Sequence, residues 1–243
     1  MDPDALSCPE YLQGNTIHCS GSVISPIHIL TSAFCLQYFV CHKFNDEPST
    51  SHPASSIRDF SPEHGVVLVG EYDVQFNGSS SLQVLEIACI TKHPSWHYSF
   101  ESIVTGGDID LGYNAAMLTL KEPIDFNNPN GKVRPVCLMT DEIEETNIIN
   151  SGATTSLKVS GWGQMVAGWD GPRSDKLLAA DLPYLGIEKE ICLPEEINTT
   201  PGFPQILFDE SMMCAGNVIS DSIPDSPIRP FREGACRDDY GGK

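Results

Sequence analysis

Cysteines carry most of the reactive chemistry available to this 243-residue chain. The sequence contains nine, and none forms the closely spaced Cys-x-x-Cys pair that is typical of a zinc site. Scattered cysteines favour a disulfide framework, and disulfides persist in oxidising compartments. The sequence therefore predicts a secreted protein, in which the odd cysteine count leaves at least one sulfur unpaired in a monomer.

Two glycosylation sequons agree with that localisation. They begin at Asn77 and Asn198, and each has the Asn-x-Ser/Thr pattern of an N-linked acceptor. The opening residues 1–4 have neither the basic nor the apolar region of a signal peptide. We therefore expect the signal peptide to be absent from this chain and the natural start to lie upstream of it.

Charge and hydropathy exclude two classes of partner. Acidic residues outnumber basic ones 33 to 14, which gives a formal net charge of -19. Such a chain is repelled by phosphate backbones and by anionic membranes, and no apolar run reaches the roughly twenty residues of a membrane helix. The partners are expected to be proteins, with no nucleic acid and no membrane among them.

Short β-rich runs separated by Gly, Pro, Asn and Asp predict the elements that must position any site. They span 22–24, 28–31, 66–69, 82–85, 116–120 and 157–160. With 18 prolines and 20 glycines the chain has little room for long helices, so the pattern predicts an all-β barrel or sandwich. Polar stretches at 41–65 and 216–230 are expected to be surface loops.

Ordered landmarks across almost the whole chain resemble trypsin/chymotrypsin-type serine protease domains. They are HCSGSVISP (18–26), ILTSAFC (29–35), VGEYD (69–73), HP (93–94), LTLKEPI (118–124), RPVCL (134–138), VSGWG (159–163), MCAG (213–216) and GACRDDYGG (234–242). The resemblance implies a chymotrypsin-like double antiparallel β-barrel with a cleft between the barrels. It places an N-terminal barrel at 1–128, with an inserted loop at 41–65, and a C-terminal barrel at 129–243.

Family chemistry needs a Ser nucleophile, a His base and a buried Asp that orients the His. By resemblance, the His position is Phe34, the Asp position is Asn114 and the Ser position is Tyr240. A phenyl ring has no lone pair, an amide cannot stabilise an imidazolium, and a phenol with a pKa of about 10 and no base beside it is a poor nucleophile. The resemblance therefore implies a degenerate triad, no metal and no cofactor.

Supporting positions of the family site also differ. Asp238 takes the place of an oxyanion-hole glycine, so a carboxylate stands where negative charge would develop. Gly234 takes the specificity-pocket position, where an Asp would select Lys or Arg. Nearby His28, His42, Asp108 and Asp110 are interpreted as ordinary surface or strand-edge residues, because a displacement of about 1 Å costs about a hundredfold in rate. Glu71 and Asp73 match part of a calcium loop that lacks its later acidic ligand.

The resemblance also implies disulfide pairs. Cys19 is expected to pair with Cys35, and Cys192 with Cys214. Cys137 is tied in the family to an upstream segment, for which Cys8 is the candidate, and Cys41 and Cys89 remain as a further candidate pair. Cys236 is left over, because its family partner lies downstream of residue 243. For the same reason the second barrel is expected to be truncated in this chain.

These features predict a secreted, non-catalytic serine protease homologue. It would act by binding proteins, as a cofactor, decoy or regulator in an extracellular protease cascade, with active serine proteases or their substrates as partners. Inactive family members of this kind resemble immune and clotting-cascade cofactors of invertebrates. The alternative is a truncated fragment or gene model of a serine-type endopeptidase that has no independent function.

Overall fold

The computed structural model describes residues 19–41, 55–74, 81–97, 109–110, 112–128, 133–138, 156–163, 165, 173–186, 206–207 and 211–216. Within these ranges the chain forms β-strands and two single turns of 3-10 helix, Phe34–Leu36 and Pro62–His64. In chain order the strands are β1 Ser22–Ser25, β2 His28–Thr31, β3 Gln37–Cys41, β4 Ser55–Asp59, β5 Val66–Val69, β6 Gln83–Lys92, β7 Ile109–Asp110, β8 Ala116–Leu120, β9 Ser156–Gly161, β10 Leu178–Gly186, β11 Ile206–Leu207 and β12 Cys214–Ala215. The prediction of an all-β fold is confirmed.

The largest sheet joins five antiparallel strands in the order β1-β2-β8-β6-β5. Along its central strand Ala116, Leu118 and Leu120 are buried and the residues between them are half-buried, so one face of the sheet lies on the core. An irregularity between Ile87 and Cys89 shifts the register of β6 against β8. Because such bulges increase strand bending and twist, the sheet curls around its buried face like one side of a barrel.

The core beneath this sheet is aliphatic. Burying each of its larger side chains contributes about 1.5–3 kcal/mol. The Cys19–Cys35 disulfide, whose Cα atoms are 6.0 Å apart, ties the segment before β1 to the turn after β2. The buried cluster consists of Ile29, Ala33, Cys35, Leu36, Val69, Ile87, Ala116, Leu118, Leu120 and Ile124.

The six strands predicted from sequence are all present, as β1, β2, β5, β6, β8 and β9. The prediction of one surface loop over 41–65 is wrong for its last part. Ser55–Asp59 forms β4 and pairs antiparallel with β3, from Gln37 opposite Asp59 to Cys41 opposite Ser55. A polar composition does not prevent this, because the ladder is made by backbone groups. Residues 42–54 and 217–230 of the predicted loops lie outside the described residues.

A second sheet joins β9, β10 and β12 in the order β12-β10-β9. The register between β9 and β10 runs from Gly161 opposite Leu178 to Ser156 opposite Pro183. Leu182 and Tyr184 of β10 are buried, so this sheet also has a covered face.

Backbone hydrogen bonds connect the two halves of the chain. The amide of Val74 donates to Asp175 O at 2.7 Å, and the amide of Leu177 donates to Tyr72 O at 2.8 Å. Strands β7 and β11 pair in parallel, so residues 109–110 and 206–207 also meet. The predicted barrel boundary at residue 128 stays a prediction. Among the described residues, no helix is long and apolar enough to span a membrane.

Candidate functional site

Phe34 lies in the 3-10 turn that follows β2. The turn is closed by the Cys35 amide, which donates to Ser32 O at 3.2 Å, and by the Leu36 amide, which donates to Ala33 O at 3.1 Å. Ser32, Ala33 and Cys35 are buried, and Phe34 is half-buried. The disulfide at the adjacent cysteine holds the same turn, so the main chain at Phe34 is fixed from both sides.

Asn114 lies against this turn, although 80 residues of sequence separate it from Phe34. Its Oδ1 accepts a hydrogen bond from Ser32 Oγ at 2.7 Å and another from the Phe34 amide at 2.9 Å. A backbone amide can only donate, so the network assigns the oxygen of the Asn114 side chain to this side. The structure thus brings together two of the three predicted triad positions.

Tyr113 and its neighbours position Asn114 from the other direction. Tyr113 has φ = 55°, a left-handed conformation that is uncommon for a large side chain. Its ring stacks on His93 with 4.8 Å between centroids, and its amide donates to Ser211 Oγ at 2.8 Å. The Ala115 amide donates to Tyr113 O at 2.7 Å, which closes a tight turn around Asn114.

Sequence reasoning missed the role of Tyr113, Ser211 and Ser32 in this arrangement. His93 was visible only as part of the His-Pro landmark, and its amide donates to Ala115 O at 2.9 Å. Tyr113 and Ser211 lie 98 residues apart, and no local pattern pairs them. Their contact joins the two halves of the chain beside Asn114.

The chemistry that Phe34 and Asn114 offer is structural. The Phe34 ring has no nitrogen that could accept a proton, and the Asn114 side chain is neutral. Its acceptor oxygen already binds two donors of the turn. The Asn114 side chain therefore positions the backbone of the turn, and neither of the two side chains carries an ionisable group.

Two histidines, His28 and His42, lie near Phe34 in the sequence, and the structure describes His28 in full. Its Nδ1 lies 2.9 Å from Ser25 Oγ, within the β1–β2 hairpin. The hydrogen bond places it with Ser25 and agrees with its interpretation as a strand-edge residue. His42, Asp108 and the side chain of Asp110 lie outside the described residues.

Glu71 uses its carboxylate to close its own loop. Its Oε1 accepts hydrogen bonds from the amides of Tyr72 at 2.9 Å and Asp73 at 3.1 Å. Nowhere in the described ranges do three or more His, Cys, Asp or Glu side chains gather as a metal site would require.

The disulfide predictions have mixed outcomes. The Cys19–Cys35 pair is confirmed. Cys214 is disulfide-bonded, but its partner lies outside the described side chains, so its pairing with Cys192 stays a prediction. Cys89 and Cys137 carry free, exposed thiols, which contradicts the candidate pairs with Cys41 and Cys8.

The position of Cys89 in β6 gives a physical reason for this outcome. It follows the register shift of that strand and pairs with Thr119 in the middle of the large sheet, whereas Cys41 ends β3 in a separate sheet. Its Sγ lies 3.8 Å from Ile90 O and 4.0 Å from Thr91 Oγ1. Cys137 is also exposed. The amide of Val136, the residue before it, donates a hydrogen bond to Val23 O.

The remaining predicted site residues lie outside the described part of the chain. The nucleophile position is Tyr240, the oxyanion-hole position is Asp238 and the specificity-pocket position is Gly234. The others are the cysteines Cys8, Cys192 and Cys236 and the sequon residues Asn77 and Asn198. Their roles stay predictions.

Comparison with known proteins agrees with the geometry. Residues 9–223 match the sequence model described as trypsin, a range that includes both Phe34 and Asn114 and ends before Gly234. The chain is also similar to ovochymase from Halocynthia roretzi, with 25% identity over 205 residues. That match covers 84% of this chain but only 10% of the relative, so the chain spans about a tenth of the length of that curated protein.

Proposed function

Because the chain belongs to the trypsin family, we propose that it is a non-catalytic member of that family which acts by binding proteins. It serves as a cofactor, decoy or regulator of active serine proteases or of their substrates, in a secreted protease cascade. The proposal separates the family scaffold, which the chain keeps, from the family chemistry, which its residues do not support.

The hydrogen bond from the Phe34 amide to Asn114 Oδ1 carries this proposal. It supports the proposal because the segments after β2 and before β8 meet there, and the family mechanism needs its base and its orienting carboxylate side by side. The side chains at that meeting point are a phenyl ring and an amide. Proton abstraction from a nucleophile therefore has no acceptor at this point.

Two sequence features add support. Tyr240 at the nucleophile position is a poor nucleophile without a base, and Asp238 would oppose negative charge on a tetrahedral intermediate. The confirmed disulfide supports secretion, since disulfides persist in oxidising compartments.

The test is activity-based labelling. We expect no fluorophosphonate incorporation and no turnover of chromogenic ester or amide substrates, with an active trypsin-like protease as the positive control. Stoichiometric labelling at any residue of the cleft would overturn the proposal.

Restored variants sharpen the test. The triple variant Phe34→His, Asn114→Asp, Tyr240→Ser should remain inactive, because Asp238 still opposes the oxyanion. Adding Asp238→Gly should then increase labelling relative to the triple variant. Turnover by the triple variant alone would show that the oxyanion argument is wrong.

A further inference from the structure

Tyr113 has a strained backbone. Among the described residues, it is the one residue other than glycine with a positive φ, at 55°. In this left-handed conformation the Cβ crowds the following carbonyl oxygen, which costs free energy for every residue except glycine. Asn and Asp can offset that cost with a local side-chain hydrogen bond, and a tyrosine cannot. Tyr113 therefore keeps this conformation only because its surroundings hold it there.

The second half of the chain holds the amide of Tyr113. Strands β7 and β11 run parallel, with Leu207 opposite Asp110, so the chain beyond each strand continues in the same direction. A few residues further along, the Tyr113 amide donates to Ser211 Oγ at 2.8 Å. Ser211 is exposed, so this contact can be lost without opening the core.

The first half of the chain holds the other side of Tyr113. Its ring stacks on the His93 ring, with 4.8 Å between centroids and 13° between planes. Its carbonyl accepts the Ala115 amide at 2.7 Å. Asn114 lies between these two bonded residues, and its side-chain oxygen fixes it on the Phe34 turn. The contact on the amide side thus comes from one half of the chain, and the contacts beyond the Cα come from the other.

The strained angle lies between these two sets of contacts. The φ of Tyr113 is the rotation about the bond that joins its amide nitrogen to its Cα, and a return to an ordinary negative value turns this bond by roughly 100° or more. Such a rotation swings the amide away from Ser211 or carries Asn114 away from the Phe34 turn. The strain therefore persists only while both contacts are made, and loss of either one relieves it.

We propose that Tyr113 is a conformational switch between the two halves of the chain. While both contacts are made it is left-handed; when the Ser211 contact is lost, the peptide between Gly112 and Tyr113 turns over and φ becomes negative. Gly112 has no Cβ and takes up the accompanying change in its own ψ. Movement of the Ser211 segment away from the first half therefore changes the backbone beside Asn114. The switch uses only the acceptor oxygen of Asn114, so it is independent of the proposed function.

The first experiment removes the contact with the second half. In the full chain carrying Ser211→Ala we expect Tyr113 to return to a negative φ, and Ser211→Thr, which keeps a hydroxyl, is the matched control. Nuclear magnetic resonance reports the sign of φ, because the amide and α protons of a residue are closer together at positive φ and give a stronger cross-peak. The Tyr113 cross-peak should be strong in the unmodified chain and lose most of its intensity in Ser211→Ala. A weak cross-peak in the unmodified chain, or an equally strong one in both variants, would overturn the proposal.

A double-mutant cycle measures the strain. If Ser211 and Asn114 together impose it, removing either contact recovers the strain energy, and removing both recovers it only once. The double variant Ser211→Ala, Asn114→Ala should therefore lower the folding equilibrium constant about tenfold more than the product of the two single effects. Urea unfolding of the four proteins measures this excess. Single effects that simply multiply, or an excess of the opposite sign, would contradict the switch.

Tyr113 itself supplies the control for that cycle. Tyr113→Gly removes the strain, since glycine adopts the left-handed conformation readily, whereas Tyr113→Ala keeps a Cβ and the strain with it. Both variants remove the ring stack on His93. The excess should disappear when the cycle is repeated with glycine at this position and remain with alanine. The greater freedom of glycine in the unfolded chain is common to all four proteins of its cycle and cancels. An excess that remains with glycine, or is lost with alanine, would refute the proposal.

Discussion

Removing the Asn114 side chain tests whether it now serves the fold. In Asn114→Ala, the hydroxyl of Ser32 and the amide of Phe34 lose their shared acceptor. Ser32 is only 6% exposed, so its hydroxyl has little access to water. The amide of Phe34 belongs to a half-buried residue and recovers part of its solvation.

The cost follows from these two donors. A buried donor without a partner costs about 1–3 kcal/mol, and partial solvation of the Phe34 amide lowers its share. We therefore expect Asn114→Ala to reduce the free energy of unfolding by about 2–4 kcal/mol. For a domain of this size each kcal/mol shifts the Tm by about 2–4 °C, so the fall should be about 10 °C.

Calorimetry and urea unfolding measure this change, and Asn114→Asp is the matched control. Its carboxylate can accept the same two hydrogen bonds, so at pH 7 it should lose less than about 1 kcal/mol. A double-mutant cycle with Ser32→Ala should show coupling of about 1 kcal/mol. If Asn114→Ala unfolds like the unmodified chain, or costs no more than Asn114→Asp, the reasoning is refuted.

Three more perturbations follow from single contacts. Gly70→Ala should cost at least about 2 kcal/mol in urea unfolding, because Gly70 has φ = 86° and an added Cβ would lie 2.5 Å from Ser81 O; an unchanged midpoint would contradict this. Cys35→Ala should cost about 3 kcal/mol in urea unfolding, since the disulfide closes a 16-residue separation; the unmodified chain under reducing conditions should lose at least as much, because reduction also opens the Cys214 disulfide, and a smaller loss would contradict this. The hydrogen bond from Lys92 lowers the pKa of Asp59 below its ordinary value of 3.8, so the pair stabilises the fold above that pH and is lost as pH falls through the folded-state value. At pH 7 Asp59→Asn should lose at most about 1 kcal/mol, and a difference that remains undiminished after the pH has fallen well below the folded-state pKa of Asp59 would refute the assignment.

Strands with alternating or continuous apolar residues were predictable. β8 buries Ala116, Leu118 and Leu120 along one face, and this period of two is visible in the sequence. Tight turns such as Pro26-Ile27 between β1 and β2 bounded the predicted strands well. Local pattern carries this information because each strand contributes its own side chains to the core.

Elements that depend on distant backbone partners were not predictable. β10 has Pro183 in its interior, which argues against a strand, yet Pro183 stands at the end of the β9 ladder and its carbonyl accepts the Gly216 amide at 3.0 Å. The polar β4 is a strand because β3 pairs with it. Composition alone could not indicate that β10 pairs with β9 and β12, or that β4 pairs with β3.

The same distinction separates the successful and unsuccessful disulfide predictions. Cys19 and Cys35 flank one hairpin, whose geometry fixes their separation. Pairs that join separate sheets depend on how those sheets are placed, and a residue pattern does not encode that. Cys89 on its strand of the large sheet illustrates this, because neither composition nor order along the chain revealed that its thiol is exposed.

Under the proposed function, Asn114 keeps a structural task of its position in the trypsin-family scaffold without a charge. A carboxylate that orients a histidine has two tasks, one electrostatic and one structural, and only the electrostatic task needs a negative charge. An amide oxygen accepts the bonds from Ser32 and the Phe34 amide without that charge. Under the proposed non-catalytic function, an amide at this point keeps the hydrogen bonds of the turn, and a neutral acceptor near a buried serine avoids the desolvation of a charge.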